Sequence, residues 1–184
     1  MNALTYKDVF PYFRDNKCWY GSSIHSGDRE FRIPNNYPMT AVGQRVDEQG
    51  NKFVRVKGVR WFTNIEHGRR HEPIPLMTMK DNRIYTKKII ENINSYQKYD
   101  NYDAIEVPIT SGIPSDYKGV MGVPISFMDK YCPEQFEILG TQRWNKSKAL
   151  LDVYTGSAKP PESDMKITID GKEKYDRIFI RHIN

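Results

Sequence analysis

MKITIDGKEKYDRIFIRH, residues 165–182, is the stretch that decides the class of this fold. Asp170-Gly171 stands between two strand candidates, of which Met165–Ile169 alternates apolar and polar residues. A type I′ turn demands such a dipeptide, because both of its central residues take positive φ. The segment therefore predicts a closing hairpin, Met165–Ile169 paired with Lys172–His182. Further up the chain, Ala41–Val46 and Lys52–Val56 flank the turn Asp47-Glu48-Gln49-Gly50-Asn51 and predict a second hairpin. Shorter strands are predicted at Cys18-Trp19-Tyr20, around Phe31, at Ala104–Val107 and at Phe136–Leu139, the last closed by Gly140. After Gly58, Val59, Trp61 and Thr63 fall on one face of a strand, with Arg60, Phe62 and Asn64 on the other.

Helical signals are fewer and shorter. Thr5 and Asp8 form a capping-box-like pair ahead of Val9, Phe10 and Phe13, with Pro11 imposing a kink or two short turns. Ile84, Ile89, Ile90 and Ile93 predict a helix within 84–96. Ser126 and Asp129 suggest another capping box, for a short helix carrying Phe127, Met128 and Tyr131. From Ile65 to Asp81 the chain is turn-rich and basic, and Lys159-Pro160-Pro161-Glu162-Ser163 reads as a linker. The sum is a mixed, strand-rich α+β chain with long loops. The regular strand–helix alternation of an isolated Rossmann domain is absent from the pattern.

With 184 residues the chain can bury a core without disulfide or metal staples. Cys18 and Cys132 have no metal spacing and no C-x-x-C pattern, so they read as buried free thiols of a reducing cytoplasm. No apolar run approaches membrane-spanning length, and Met-Asn-Ala-Leu has no signal-peptide character. A formal charge of +5 favours a polyanionic partner without establishing one.

There is no glycine-rich phosphate loop. His67 and His71 are separated by Gly68-Arg69-Arg70, which breaks the helix a two-histidine metal site would need, so no metal ligand is assigned. Ser22, Ser23 and His25 lack a third orienting group and an oxyanion hole. Asp100, Asp103 and Glu106, near Tyr99 and Tyr102, are better explained by turns and ion pairs than by acid–base work.

The positive signal is basic and aromatic. Lys52, Arg55, Lys57, Arg60, Arg69 and Arg70 stand near Trp61, Phe62 and His71, with Glu66 the only acid between 52 and 71. Guanidinium groups chelate phosphate or a guanine edge, and exposed aromatics stack on unpaired bases. Trp61 itself is expected to pack inside, and the loop residues Arg69 and Arg70 are better contact candidates than the strand residues. A second basic edge comprises Lys172, Lys174, Arg177, Arg181 and His182. Lysines on a last strand equally serve to prevent edge pairing.

Several longer strings carry a family resemblance: MNALTYKDVFP (1–11), RWFTNIEHGRRHE (60–72), YDNYDAIEVP (99–108), IPSDYKGVMGVPISFMDKYCPEQFEILG (113–140) and IDGKEKYDRIFIR (169–181). They resemble the EcoRI-type adenine-specific DNA methyltransferase family. That resemblance implies S-adenosylmethionine as donor for the complete enzyme and double-stranded DNA as partner. It also implies a donor-binding Rossmann-like domain and an Asn-Pro-Pro-Phe motif, and neither that motif nor a donor glycine loop occurs in these residues. Residues 1–64 would then supply the last helix and strands of the methyltransferase sheet, and 65–184 a target-recognition region closed by the hairpin 165–182. On this expectation the chain binds no cofactor alone and holds no catalytic residue. DNA contact would fall to Lys57, Arg60, Arg69, Arg70, His71, Lys172, Lys174, Arg177 and Arg181. The alternatives are a half-enzyme that complements a separate donor-binding chain, or a remnant without function.

Overall fold

A computed structural model of the chain describes residues 4, 6–23, 27–40, 42–142, 147–156 and 166–183. It forms two compact units, one of residues 19–67 and one of residues 1–18 with 68–184. The sequence expectation had divided the chain once, near residue 64. Residues 1–18 group with residues 68–184 by contacts, which divides the chain by packing and not by role.

The smaller unit holds β1 (Trp19–Tyr20), β2 (Arg29–Ile33), β3 (Gln44–Val46), β4 (Lys52–Val56) and β5 (Phe62–Thr63). Strands β2, β4 and β3 form an antiparallel sheet in that spatial order. The β3–β4 hairpin is the expected one, with Val46 opposite Lys52 and Gln44 opposite Val54. Its loop is organised by Asp47, whose carboxylate accepts from the backbone N–H groups of Gln49 (3.0 Å) and Asn51 (2.8 Å). Gly50, at φ 79°, occupies the left-handed region that a side chain would disfavour. β1 and β5 form a two-residue antiparallel ladder, Trp19 opposite Thr63 and Tyr20 opposite Phe62. Of the strand expected over Val59–Asn64, only Phe62 and Thr63 pair. Trp61 is not the interior residue expected: it is 39% exposed. Its indole covers Gly21, where an added Cβ would fall 2.0 Å from the ring, and its N–H donates to the Ser23 carbonyl at 2.8 Å.

The larger unit begins with α1 (Phe10–Arg14), which buries Phe10 and Phe13 and carries Pro11 in its first turn, where the missing N–H costs nothing. Backbone bonds from Val9 and Phe10 to the Tyr6 carbonyl add a turn ahead of it, in line with the two short turns expected. Val9, with no side-chain cap, precedes the helix, and Thr5 lies outside the described residues.

The helix expected within 84–96 is present as the short α3 (Lys87–Glu91), preceded by an unexpected α2 (Met79–Tyr85). Thr78 caps α2 by accepting from the Asp81 N–H at 3.1 Å. Thr86 ends it in an extended conformation and donates its hydroxyl to the buried Asn82 at 2.7 Å. Of the four isoleucines that signalled a helix, only Ile89 is buried.

Next come β6 (Ala104–Glu106), β7 (Val120–Val123), β8 (Phe136–Thr141), α4 (Lys148–Leu151), β9 (Thr168–Ile169), β10 (Lys172–Glu173) and β11 (Ile178–His182). The main sheet has the order β6-β7-β11-β8, with β6 parallel to β7 and the other pairs antiparallel. The Ser126–Asp129 capping box does not form. A 3-10 helix spans Ile125–Asp129 and follows Pro124, so Ser126 lies inside it and caps nothing.

The terminal hairpin is a partial success. Asp170 (φ 51°) and Gly171 (φ 70°) make the positive-φ turn, and Ile169 pairs with Lys172 and Thr168 with Glu173. The expected second strand over 172–182 then divides. Ile178, Phe179 and Ile180 are all buried, and a two-stranded ribbon cannot cover both faces of such a run. They pair instead between β7 and β8, inside the main sheet. A bulge in β8 sets Phe179 opposite Gly140 but Ile180 opposite Ile138, leaving Leu139 over.

Tyr99, Tyr102, Leu139, Leu150 and Phe179 anchor the core on this sheet, with Ile167 and Ile169 from the hairpin arm. The Tyr102 ring lies 4.6 Å from Phe179 and 5.1 Å from Tyr154, centroid to centroid, within the range of favourable aromatic pairs. Cys132 is buried as expected and Cys18 only half-buried, both as free thiols. Among the described residues no helix is long and apolar enough to cross a membrane.

Candidate nucleic-acid interface

Nine cations were candidates for duplex contact, and the fold treats them very differently. A cation serves phosphate only if its charge reaches solvent and is not already neutralised. Lys57, in the turn after β4, is exposed and meets no carboxylate among the described residues. Lys172, beside the Asp170-Gly171 turn, has the same freedom. Arg69 is exposed on the 3-10 helix Gly68–His71.

Arg70 follows in sequence but turns inward. It is buried and donates to the Asn16 side-chain oxygen. His71 contacts Glu134 at 2.7 Å, and that carboxylate also accepts from the Cys132 thiol at 3.2 Å. Burial is the main cause that pushes the Cys132 thiol up, which keeps it protonated and unreactive. Arg60 is half-buried, donating to the Tyr20 hydroxyl at 2.8 Å with its guanidinium 5.1 Å from that ring's centroid.

The closing arm is also largely committed to the protein itself. Lys174 donates to Asn94 at 2.7 Å. Arg181 bonds Glu137, its cross-strand neighbour, at 2.6 Å. His182 contacts the Pro114 carbonyl at 2.9 Å and stacks near Phe136. Arg177 makes the deepest commitment. Its Nη2 donates to Glu106 Oε1 at 2.5 Å and its Nε lies 3.1 Å from both carboxylate oxygens. The side chains are 12% and 3% exposed. Tyr99 completes the cluster, donating to Glu106 Oε2 at 2.5 Å. Burial first, then the Glu106 charge, pushes the Tyr99 phenol well up, so it is a fixed donor. Burial alone would lower the Arg177 pKa, but its bonds to Glu106 outweigh that and leave it raised. This cluster is a core clamp and offers no charge to phosphate.

Sequence reasoning passed over a different basic surface. Lys80, Lys87 and Lys88 on α2 and α3 are exposed; Lys87 sits 3.7 Å from Glu91, while Lys80 and Lys88 meet no carboxylate among the described residues. Beside them lies an open hollow of about 420 Å³ lined by Lys88, Glu91, Asn92, Ile93 and Pro108. Another of about 390 Å³, along α1, is lined by Lys7, Asp8, Pro11, Tyr12, Asp15 and Lys17. A sulfonium nucleoside needs a glycine-rich turn and a free carboxylate for its ribose hydroxyls. Neither hollow has a glycine in its lining, and Asp15 is already bonded to Arg14 at 2.6 Å. These residues do not fit the donor. Among the described residues no three His, Cys, Asp or Glu side chains group to hold a metal ion.

The described residues thus form a mixed, strand-rich α/β fold with exposed cations on separate elements. Comparison with known proteins supplies the family. Residues 1–183 match the family described as adenine-specific methyltransferase EcoRI, and the chain belongs to that family of type II, restriction-modification DNA methyltransferases. The chain is 37% identical over 182 residues to type II methyltransferase M.EcoRI of Escherichia coli, a match covering 99% of the chain and 48% of that protein. Type II methyltransferase M.MgeORF184P of Mycoplasma genitalium is 32% identical, with 97% of the chain and 54% of the relative covered. Type II methyltransferase M.MpnI of Mycoplasma pneumoniae is 30% identical, with coverages of 97% and 53%. The chain thus spans about half the length of the curated relatives it matches. No solved structure gives a significant match.

Proposed function

We propose that these 184 residues form the C-terminal, DNA-recognition part of an adenine-N6 site-specific DNA methyltransferase, and that they transfer no methyl group unaided. One observation carries this reading: the family match runs through residue 183, yet the sequence holds neither Asn-Pro-Pro-Phe nor a donor glycine loop. Methylating adenine N6 requires extruding the base from the duplex and holding its amino group in line with the sulfonium methyl. S-adenosylmethionine would supply that methyl in the complete enzyme, and no residue of this chain is assigned to it. What these residues contribute is duplex grip. Lys57, Lys172 and Arg69 are exposed, whereas the equally exposed His71 and Arg181 are engaged by Glu134 and Glu137, and each phosphate a cation neutralises releases a counterion.

Residues 1–64 would supply the trailing helix and strands of the Rossmann-like sheet, and 65–184 the target-recognition region, in the cytoplasm where the DNA lies. The β1–β5 ladder supports the first assignment. Two residues per strand are too few for an independently stable sheet, and such a ladder gains stability by joining a larger one. The same observation favours a second reading, in which the chain completes a separate donor-binding chain to make an active enzyme.

Equilibrium binding of a duplex at several salt concentrations tests the first reading, which predicts affinity falling steeply with salt. Absence of binding at low salt would remove it. The second is tested by adding a chain that carries the donor site and Asn-Pro-Pro-Phe. Restored adenine methylation is the expected result, and none would dismiss it.

A further inference from the structure

We infer that the α2–α3 pair, with the segment just after it, is a duplex-contact surface in which lysines meet phosphate and isoleucine and tyrosine side chains meet sugars and bases. The inference rests on the DNA-recognition reading and assigns it a surface on which sequence patterning placed no contact. Ile93 is 94% exposed and Tyr85 71%, with Ile84 and Ile90 also exposed. Four large apolar side chains are left in water within ten residues, and exposed apolar surface grouped in this way and rimmed by polar residues is typical of interaction sites.

The charges around them select the partner. Lys80 and Ile84 share a face of α2 by their i, i+4 spacing, as do Lys87 and Ile90 on α3 at i, i+3. Lys88 and Ile93 line the same open hollow. Lysine is depleted from protein–protein contact surfaces, where its strongly hydrated ammonium must be stripped of water. Lysines interleaved with apolar side chains are instead what DNA-contacting surfaces use. The ammonium groups take phosphates, and the apolar groups press on sugars and base steps, where wedges of isoleucine and similar residues unstack neighbouring pairs. The nearest acids do not cancel this pattern. Asp81 keeps its charge while accepting from the Thr78 hydroxyl at 2.7 Å, and Glu91 pairs with Lys87 at 3.7 Å. Lys80 and Lys88, however, are in no ion pair among the described residues, and Arg83 adds another exposed cation.

Fluorescence anisotropy of a labelled duplex, titrated with the chain at several salt concentrations, tests the inference. Lys80→Gln with Lys88→Gln should flatten the slope of log affinity against log salt by about 0.9 per lysine. Ile90→Ser with Ile93→Ser should weaken binding and leave the slope unchanged, and Lys148→Gln on α4 should change neither. All of these side chains are exposed, and circular dichroism will verify folding. A wild-type chain that binds, with neither double variant altered, overturns this inference and leaves the recognition reading standing. Failure of the wild type to bind any duplex removes both. Sedimentation showing self-association abolished by Ile93→Ser, with duplex affinity unaltered, would mark a contact between copies and equally overturn it.

Discussion

Arg177 holds Glu106 through three N–O contacts of 2.5 to 3.1 Å, in a setting where the two side chains are 12% and 3% exposed. The pair joins the start of β11 to the end of β6, strands that do not neighbour each other in the sheet. Breaking a buried pair strands one charge in a poor solvent. Arg177→Met is expected to cost about 3–5 kcal/mol in urea unfolding, and Arg177→Met with Glu106→Leu to recover much of that loss. A single variant as stable as wild type would show that the charges are solvated after all.

Arg69 and Arg70 are adjacent yet should respond oppositely. Arg70→Ala removes a buried guanidinium bonded to Asn16 and should lower stability by about 1–3 kcal/mol. Arg69→Ala should cost less stability than Arg70→Ala and weaken duplex binding, with a salt slope shallower by about 0.9. Thermal unfolding and anisotropy on both variants separate the two effects. Equal loss of stability would refute the division.

Gly122 is required by Tyr99. An added Cβ there would stand 2.1 Å from the phenol oxygen that donates to Glu106. Gly122→Ala should therefore displace Tyr99 and destabilise by about 1–3 kcal/mol, as overpacking does. Adding Tyr99→Phe removes the clashing oxygen and should relieve part of the cost. No relief in the double variant would place the strain elsewhere.

The hairpin turn should be sensitive to acid. Asp100 accepts from the Gly171 N–H at 2.9 Å and the Asp170 N–H at 3.1 Å, and the Gly171 bond is the leading cause that holds its pKa below the ordinary 3.8. A depressed carboxylate stabilises the fold fully above its unfolded value and loses that contribution as pH falls through the folded one. The Gly171 amide resonance should thus titrate with a midpoint under 3.8, and Asp100→Asn should abolish the titration. A midpoint at or above 3.8 would contradict the cap.

Local chemistry was legible in the sequence and distant partnership was not. The Asp170-Gly171 turn and the β3–β4 hairpin were readable because turn residues declare their own φ. The fate of Ile178–Ile180 was not, because alternation cannot say which strands will flank a buried run. Arg177 looked like any other cation of the closing arm, since its partner lies 71 residues away. Arg69 and Arg70 share one local context, yet Arg70 is buried and bonded to Asn16, 54 residues upstream, while Arg69 is exposed. The isoleucines of 84–93 signalled a helix with a buried stripe; a short helix is there, yet three of the four are exposed, because periodicity does not say which face is covered.

Transfer of tritium from labelled S-adenosylmethionine to duplex adenine, by the purified 184-residue chain with no second protein, tests the central claim most directly. The account predicts no label in adenine under salt conditions where the chain demonstrably binds the duplex. Incorporation above background would contradict it, because a donor site would then exist within these residues.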